Sequence, residues 1–127
     1  MENDSQYSIA VDCNGNILKG ECNYKMHLPR DIPARNFWSV IVYDNHTQLI
    51  IKNDQLWPSV YQNCRGLHIN QDGSVDVWFG PNAPPGRENN WIQTVPGKGW
   101  YMILRLYGIL ETGYNITWRP GKIEPIV

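Results

Sequence analysis

The sequence predicts an all-β fold, a two-sheet antiparallel sandwich with a jelly-roll-like arrangement. Short runs of apolar, β-branched and aromatic residues are separated by clusters of Asn, Asp, Gly and Pro, and helical periodicity is scarce. Some runs are apolar on both faces, which favours two stacked sheets over a closed barrel. The 127 residues include 6 Trp and 7 Tyr, enough to fill a core, and we expect a single sandwich domain over residues 1–127.

The first predicted strands lie in the N-terminal quarter of the chain. Residues 7–11 form a strand, and Asn14-Gly15 supplies the positive φ angles of a tight hairpin turn with a strand on each side. Another extended run, 21–28, ends in a loop that Pro29 and Pro33 limit, since proline cannot donate a ladder hydrogen bond.

The middle of the chain contains the most apolar predicted strand, FWSVIVY (37–43), which turns into a further strand at 48–52. Alternation places Phe37, Ser39, Ile41 and Tyr43 on one face and Trp38, Val40 and Val42 on the other. Segment 53–66 is irregular, and we predict a short helical turn within it.

The second half continues with strands at 66–69 and 74–80, the latter with Val75, Val77 and Phe79 facing inward. Loop 81–90 is long for a compact β domain and is therefore a candidate for function. Strands 91–95 and 100–107 flank PGKG, which predicts a hairpin with Gly97 in the left-handed position of a type II turn. The tail, 113–127, is predicted to return as a last extended segment.

Arg105 is the main candidate binding residue. Alternation places it on the same face of its strand as Tyr101 and Tyr107, and a charge on a half-buried face needs an anion, carbonyl groups or water. One hypothesis is a site for an anionic or sugar-like ligand, formed by Arg105, Tyr101, Tyr107, Trp91, Asn89 and Asn90. The alternative is an internal ion pair with Asp44 or Asp76, or a side chain that extends to solvent.

Cofactor chemistry has little support in the sequence. The turns at 12–16 and 70–73 carry oxygen-bearing side chains, which makes calcium at Asp12, Asn14 and Asp72 the one cofactor hypothesis, although Asp and Asn equally favour turns without metal. The histidines lack zinc spacing, the serines lack a nucleophile-elbow motif, and the cysteines are predicted to be free thiols.

Charge and hydropathy argue against several classes of partner. The chain has 11 basic and 12 acidic side chains, a net charge of −1, which gives no electrostatic footprint for nucleic acid. No apolar stretch is long enough for a transmembrane segment, and the N-terminus has neither the basic nor the apolar region of a signal peptide. The sequence does not predict a compartment.

Several motifs carry a resemblance to a known family. NFWSVIVYDN (36–45), NQDGSVDVWFGP (70–81), ENNWIQTVPGKGWYMILRLYG (88–108) and TWRPGKIEP (117–125) resemble, in order and spacing, the family catalogued as domain of unknown function 1214, as does DCNGNILKGECNYKMHLPRDIP (12–33). The resemblance implies a jelly-roll-like domain, usually C-terminal to a second domain of unknown function catalogued as 1254. It implies no catalytic residue.

These observations favour a non-catalytic module, a binding or assembly (structural) domain that self-associates as a homo-oligomer or docks a separate partner domain. Edge strands and exposed aromatic side chains, in a domain normally covered by a neighbour, motivate this expectation. The alternative is an enzyme or small-ligand binder, hydrolase-like, that acts on a carbohydrate-like or anionic compound with Arg105, Trp91 and loop 81–90.

Overall fold

Eight β-strands and one 3₁₀ turn form the regular structure of the described residues. The computed structural model describes residues 4–55, 58–109 and 118–126. The strands are β1 (Ser5–Ile9), β2 (Asn23–Leu28), β3 (Ala34–Asp44), β4 (Ser59–Tyr61), β5 (Val75–Gly80), β6 (Trp91–Gln93), β7 (Trp100–Ile109) and β8 (Glu124–Ile126), and the 3₁₀ turn is Glu88–Asn90. Within these ranges there is no helix of the length and apolar character that a membrane crossing requires.

The strands form two four-stranded sheets packed as a sandwich. Sheet I has the order β1-β7-β3-β4, and sheet II has the order β6-β5-β2-β8. Neighbouring strands are antiparallel except β5 and β6, which pair in parallel with Trp78 opposite Trp91. The long connection 81–90 explains this exception, because it returns the chain along β5 before β6 begins. The predicted all-β, two-sheet sandwich is confirmed, with one parallel pair added.

The core lies between the sheets and follows the predicted alternation. Trp38, Val40 and Val42 of β3 face inward and are at most 5% exposed. From sheet II, Phe79 is buried with its ring centroid 4.9 Å from that of Trp100 on β7. Burial of each such side chain contributes about 1.5–3 kcal/mol, so this alternation is the main source of stability for the sandwich.

The predicted hairpin around PGKG does not form. β6 pairs with β5 in sheet II, whereas β7 pairs with β1 and β3 in sheet I. The turn itself is present: Gly97 has φ 84°, and the Lys98 N–H donates to the Val95 carbonyl at 3.0 Å. It carries the chain from one sheet to the other, because a local turn fixes the direction of the chain but not the partner of the next strand.

The predicted strand at 48–52 is reduced to a single bridge between Ile50 and Tyr43. Beyond that bridge, β4 takes the same edge of β3 and pairs with Ser39–Ile41, so segment 48–52 has no further edge to occupy. In the predicted turn segment 53–66, residues 56–57 lie outside the described residues. The rest holds β4 followed by two consecutive turns, closed by bonds from Cys64 to Tyr61 and from Leu67 to Cys64, rather than a helix.

Three other predicted segments also differ from the expectation. A turn forms at Asn14-Gly15 with φ 82° at Gly15, but Asn14 lacks the positive φ angle that was predicted for it. A single bridge between Val11 and Ile17 flanks the turn instead of two strands, since β1 ends at Ile9. Residues 66–69 join no strand in the described part of the chain. Of the predicted tail 113–127, residues 113–117 lie outside the described residues, and 124–126 form β8.

Candidate functional site

The outward side of sheet I carries a set of large apolar and aromatic side chains. Facing positions of β3 and β7 supply six of them and β4 supplies a seventh, and all are half-buried. We call this surface the aromatic face; it consists of Phe37, Ile41, Tyr43, Tyr61, Tyr101, Ile103 and Tyr107.

The rings of the aromatic face contact one another in two groups. Tyr43 and Tyr101 are stacked with centroids 5.3 Å apart and an angle of 12° between their planes. Phe37 lies 5.9 Å from Tyr61 and 6.0 Å from Tyr107, centroid to centroid. These distances are within the range of favourable aromatic pairs, so the face is an ordered surface and not a set of independent side chains.

A groove of about 430 Å³ runs along the aromatic face. Phe37, Tyr61 and Tyr107 line it, and Ile50 and Pro58 form a further part of its wall. The Ile50 side chain is 49% exposed. The described part of the chain therefore presents a concave, largely apolar surface on the outside of sheet I.

Arg105 lies on this outward side of β7, between Gln6 of β1 and Ser39 of β3. The predicted internal ion pair with Asp44 or Asp76 is wrong: Asp44 contacts Lys98, and Asp76 contacts sheet II side chains. Among the described residues, no carboxylate lies within 4.0 Å of the Arg105 guanidinium. Arg105 lines a second cavity of about 430 Å³ together with Asp4, Ser5, Gln6 and Tyr107, so polar residues of and next to β1 border it on one side and Tyr107 of the aromatic face on the other.

The other predicted site residues lie on sheet II. The Trp91 indole N–H donates to the Gly80 carbonyl at 2.9 Å, and the Asn89 side chain lies against Gly66. The Asn90 amide accepts from the His68 N–H at 2.9 Å and donates to the carbonyls of His68 at 3.0 Å and Asp76 at 2.8 Å.

Asn90 is 1% exposed, and its side chain makes the hydrogen bonds to residues 66–69 that a neighbouring strand would otherwise make. This explains why that segment does not pair with a strand. The six predicted site residues therefore divide into two groups on different sheets. Tyr101, Arg105 and Tyr107 lie on sheet I, and Asn89, Asn90 and Trp91 lie on or next to β6 of sheet II.

Loop 81–90 helps to form a separate cleft on sheet II that the sequence prediction missed. We call this cavity of about 280 Å³ the Trp78 cleft; Asn23, Trp78, Asn82, Pro84, Pro85 and Ile126 line it. Lys25 Nζ lies 5.3 Å and the Arg87 guanidinium carbon 5.8 Å from the centroid of the Trp78 ring. One sequence feature indicated the position of this cleft. Alternation along 74–80 turns Trp78 outward, next to the Pro-rich loop that follows the strand.

A polar cluster lies next to this cleft, around Asp76 of β5. One carboxylate oxygen contacts His27 Nδ1 at 2.7 Å, the other accepts from Asn70 at 3.1 Å, and Lys25 Nζ lies 3.9 Å away. Burial raises the pKa of Asp76, but the hydrogen bonds from His27 and Asn70 and the charge of Lys25 outweigh it, so the pKa lies below its usual value. These contacts link β2 to β5.

The aspartates of the calcium hypothesis lie on two separate turns. Asp12 Oδ1 accepts from the backbone N–H groups of Asn14 and Asn16, and Asp72 Oδ1 accepts from the N–H and hydroxyl of Ser74. No group of three or more His, Cys, Asp or Glu side chains gathers in the portion described by the structure. Both carboxylates stabilise the turns that contain them, and calcium stays a prediction.

A family model matches the chain, and solved structures are similar to it. The model of the family described as Protein of unknown function (DUF1214) matches residues 4–110, and no curated protein matches. The VPA0106 protein from Vibrio parahaemolyticus is 28% identical, with a TM-score of 0.79 over 98% of this chain and 31% of its own. An uncharacterized protein from Burkholderia cenocepacia is 16% identical, with a TM-score of 0.59 over 97% of this chain and 29% of its own, and shares the fold.

The matched residues 4–110 make up most of the chain, and the chain therefore belongs to this family. It spans about a third of the length of the solved structures that it matches.

Proposed function

For this member of the family Protein of unknown function (DUF1214), we propose a non-catalytic role as an assembly domain that binds another protein surface through the aromatic face. The observation that carries this proposal is the apolar groove of about 430 Å³ on the outward side of sheet I. The outward side of an antiparallel sheet normally alternates to polar side chains where water covers it. Here β3, β4 and β7 place a set of apolar and aromatic side chains on it, as expected for a part of the sheet that another protein surface covers.

The length of the relatives supports a proposal for what covers this face. In the two solved structures, roughly two thirds of each chain lies outside the region that this domain matches. We propose that such a neighbouring domain covers the aromatic face in longer proteins and that a second copy covers it when this chain is alone. Burial of apolar area on both surfaces then supplies the free energy of association.

Arg105 adds a requirement for the covering surface. A partner that covers the aromatic face desolvates the Arg105 guanidinium, and an unpaired buried cation opposes binding. The partner surface is therefore expected to place a carboxylate or backbone carbonyl groups opposite Arg105, whose planar guanidinium binds such groups through two parallel hydrogen bonds.

The oligomeric state of the purified chain tests the proposal. We expect light scattering to show a dimer or larger oligomer, and Ile41→Glu to shift it to a monomer because a carboxylate is then placed in the groove wall. Ile69→Glu is the matched control: Ile69 is 54% exposed and lies outside the aromatic face, so this variant should associate like the wild type. Circular dichroism establishes that both variants are folded.

Two results would contradict the proposal. One is a wild-type chain that stays monomeric at concentrations of about 100 μM and does not bind a fluorescent dye for apolar surfaces. The other is an oligomer that a folded Ile41→Glu variant leaves intact, since association would then use another surface.

A further inference from the structure

We infer that the Trp78 cleft is a binding site for a single carboxylate-bearing sugar ring, such as a uronic acid unit of a polysaccharide. The cleft lies on sheet II and is independent of the aromatic face and of the function proposed for it. Its volume of about 280 Å³ is at the lower end of pockets that hold small molecules, which suits one ring and not a longer ligand.

The walls of the cleft suit the apolar face of a pyranose ring. Trp78 is half-buried on the outward side of β5, and Pro84 and Pro85 stand beside it. Aromatic rings bind the C–H face of sugars because they provide a large, rigid contact area. Proline has a fixed φ angle, so the Pro84-Pro85 wall loses little conformational freedom when a ligand binds.

Two amide side chains stand at the edge of the same cavity. Asn23 begins β2 and Asn82 follows β5, and both are exposed. An amide donates and accepts hydrogen bonds, as sugar hydroxyl groups require. Gly80 allows the position of Asn23, because a Cβ atom at residue 80 would lie 2.1 Å from Asn23 Oδ1. An alanine at position 80 would displace that amide.

The charges around Trp78 indicate an acidic sugar. Lys25 lies near the indole, but Asp76 is 3.9 Å from its amine, and Glu124 faces it in the register of β2 and β8. Arg87 stands beside the cleft and does not line it: its guanidinium carbon is 5.8 Å from the centroid of the same ring, and Nη1 donates to the Gly86 carbonyl. No ion pair involves Arg87 within the described residues, so its guanidinium can bind a ligand carboxylate.

An NMR titration of the purified chain with glucuronate, glucose and acetate, at equal ionic strength, tests the inference. We expect glucuronate to shift the Trp78 indole N–H resonance and the backbone amide resonances of Asn82, Ala83, Gly86 and Arg87. Glucose should have a weaker effect, and acetate should not affect the indole. Trp78→Ala should abolish the response of the backbone amides of the loop, which remain observable in this variant. Arg87→Gln should weaken glucuronate binding about tenfold, to the level of glucose, whereas Arg35→Gln, an exposed arginine on sheet I, should leave it unchanged.

Asn82→Asp keeps the shape of the side chain and should also weaken glucuronate binding, by repulsion between carboxylates, which provides a test if Trp78→Ala is unfolded. Three outcomes would overturn the inference: no glucuronate response of the wild type, equal binding of glucose and glucuronate, or an acetate response equal to that of glucuronate. The last outcome would mean nonspecific anion binding.

Discussion

Replacement of Gly20 by alanine is expected to destabilise the protein strongly. Gly20 is buried where the chain between β1 and β2 passes the turn that joins β6 to β7. An alanine Cβ would lie 1.7 Å from the Val95 carbonyl oxygen and 2.6 Å from that of Lys98. Both are backbone atoms, so no side-chain rotation relieves the clash.

The size of the effect follows from the movement required. The Val95 oxygen must retreat from 1.7 Å to at least about 3.4 Å, the start of ordinary van der Waals contact. Overpacking of this kind costs about 1–3 kcal/mol. The same movement disrupts the bonds from Thr94 Oγ1 to the Gly20 carbonyl and from the Lys98 N–H to Val95, at about 1 kcal/mol each. We expect a loss of about 3–5 kcal/mol in the free energy of unfolding.

Urea denaturation and thermal melting measure this loss. For a domain of this size, 1 kcal/mol corresponds to about 3–5 °C, so Tm should fall by about 10–20 °C. Gly99→Ala is the control: its Cβ would approach no atom closer than 3.4 Å, so we expect a change of less than about 1 kcal/mol. A Gly20→Ala variant as stable as Gly99→Ala would show that the clash with the Val95 carbonyl carries no energetic cost.

Three further predictions concern the core and sheet II. Leu104→Ala removes a fully buried side chain of β7 and should cost about 2–5 kcal/mol in urea denaturation; less than 1 kcal/mol would contradict the packing. Asn90→Ala breaks three hydrogen bonds and should cost about 2–4 kcal/mol, whereas a neutral result would leave Asn90 free for a ligand. The pKa of Asp76 is lower in the folded state than its unfolded value of about 3.9, so the ionised carboxylate stabilises the fold above that pH, and this stabilisation is lost as the pH falls through the folded-state pKa. Asp76→Asn should therefore reduce the dependence of the urea midpoint on acid pH. An unchanged dependence in the variant would contradict this prediction.

The sequence predicted the features that depend on local alternation. The division of β3 into two faces, with Val40 and Val42 on the same one, and the position of Arg105 on the same face as Tyr107 follow from period-two geometry and were confirmed. Which of the two faces points into the core was not predicted. The strand with which each strand pairs is not determined by the local sequence. PGKG predicted a turn correctly, but the choice between a hairpin and a crossing to the other sheet depends on contacts with β1, β3 and β5 that lie far away in the sequence.

The candidate site was also predictable in part, from the alternation of side chains but not from the pairing of strands. The apolar outward face of β3 indicated a covered surface, and the structure shows the groove there. Arg105 and Trp91 were grouped because they are close in the sequence, and the crossing at PGKG separates them. Asn90 could not be recognised as an internal group, since an asparagine in a loop looks the same whether it binds a ligand or the backbone of residue 68.

The lengths of the outer strands limit how this domain can polymerise. β4, β6 and β8, three of the four strands at the margins of the sheets, are three residues long. A margin this short offers few free backbone donors and acceptors, so an incoming strand gains little by extending either sheet. At these three margins of the described sheets, continuous strand addition of the kind that leads to amyloid-like aggregation is therefore disfavoured, and the five-residue β1 is the longest margin strand.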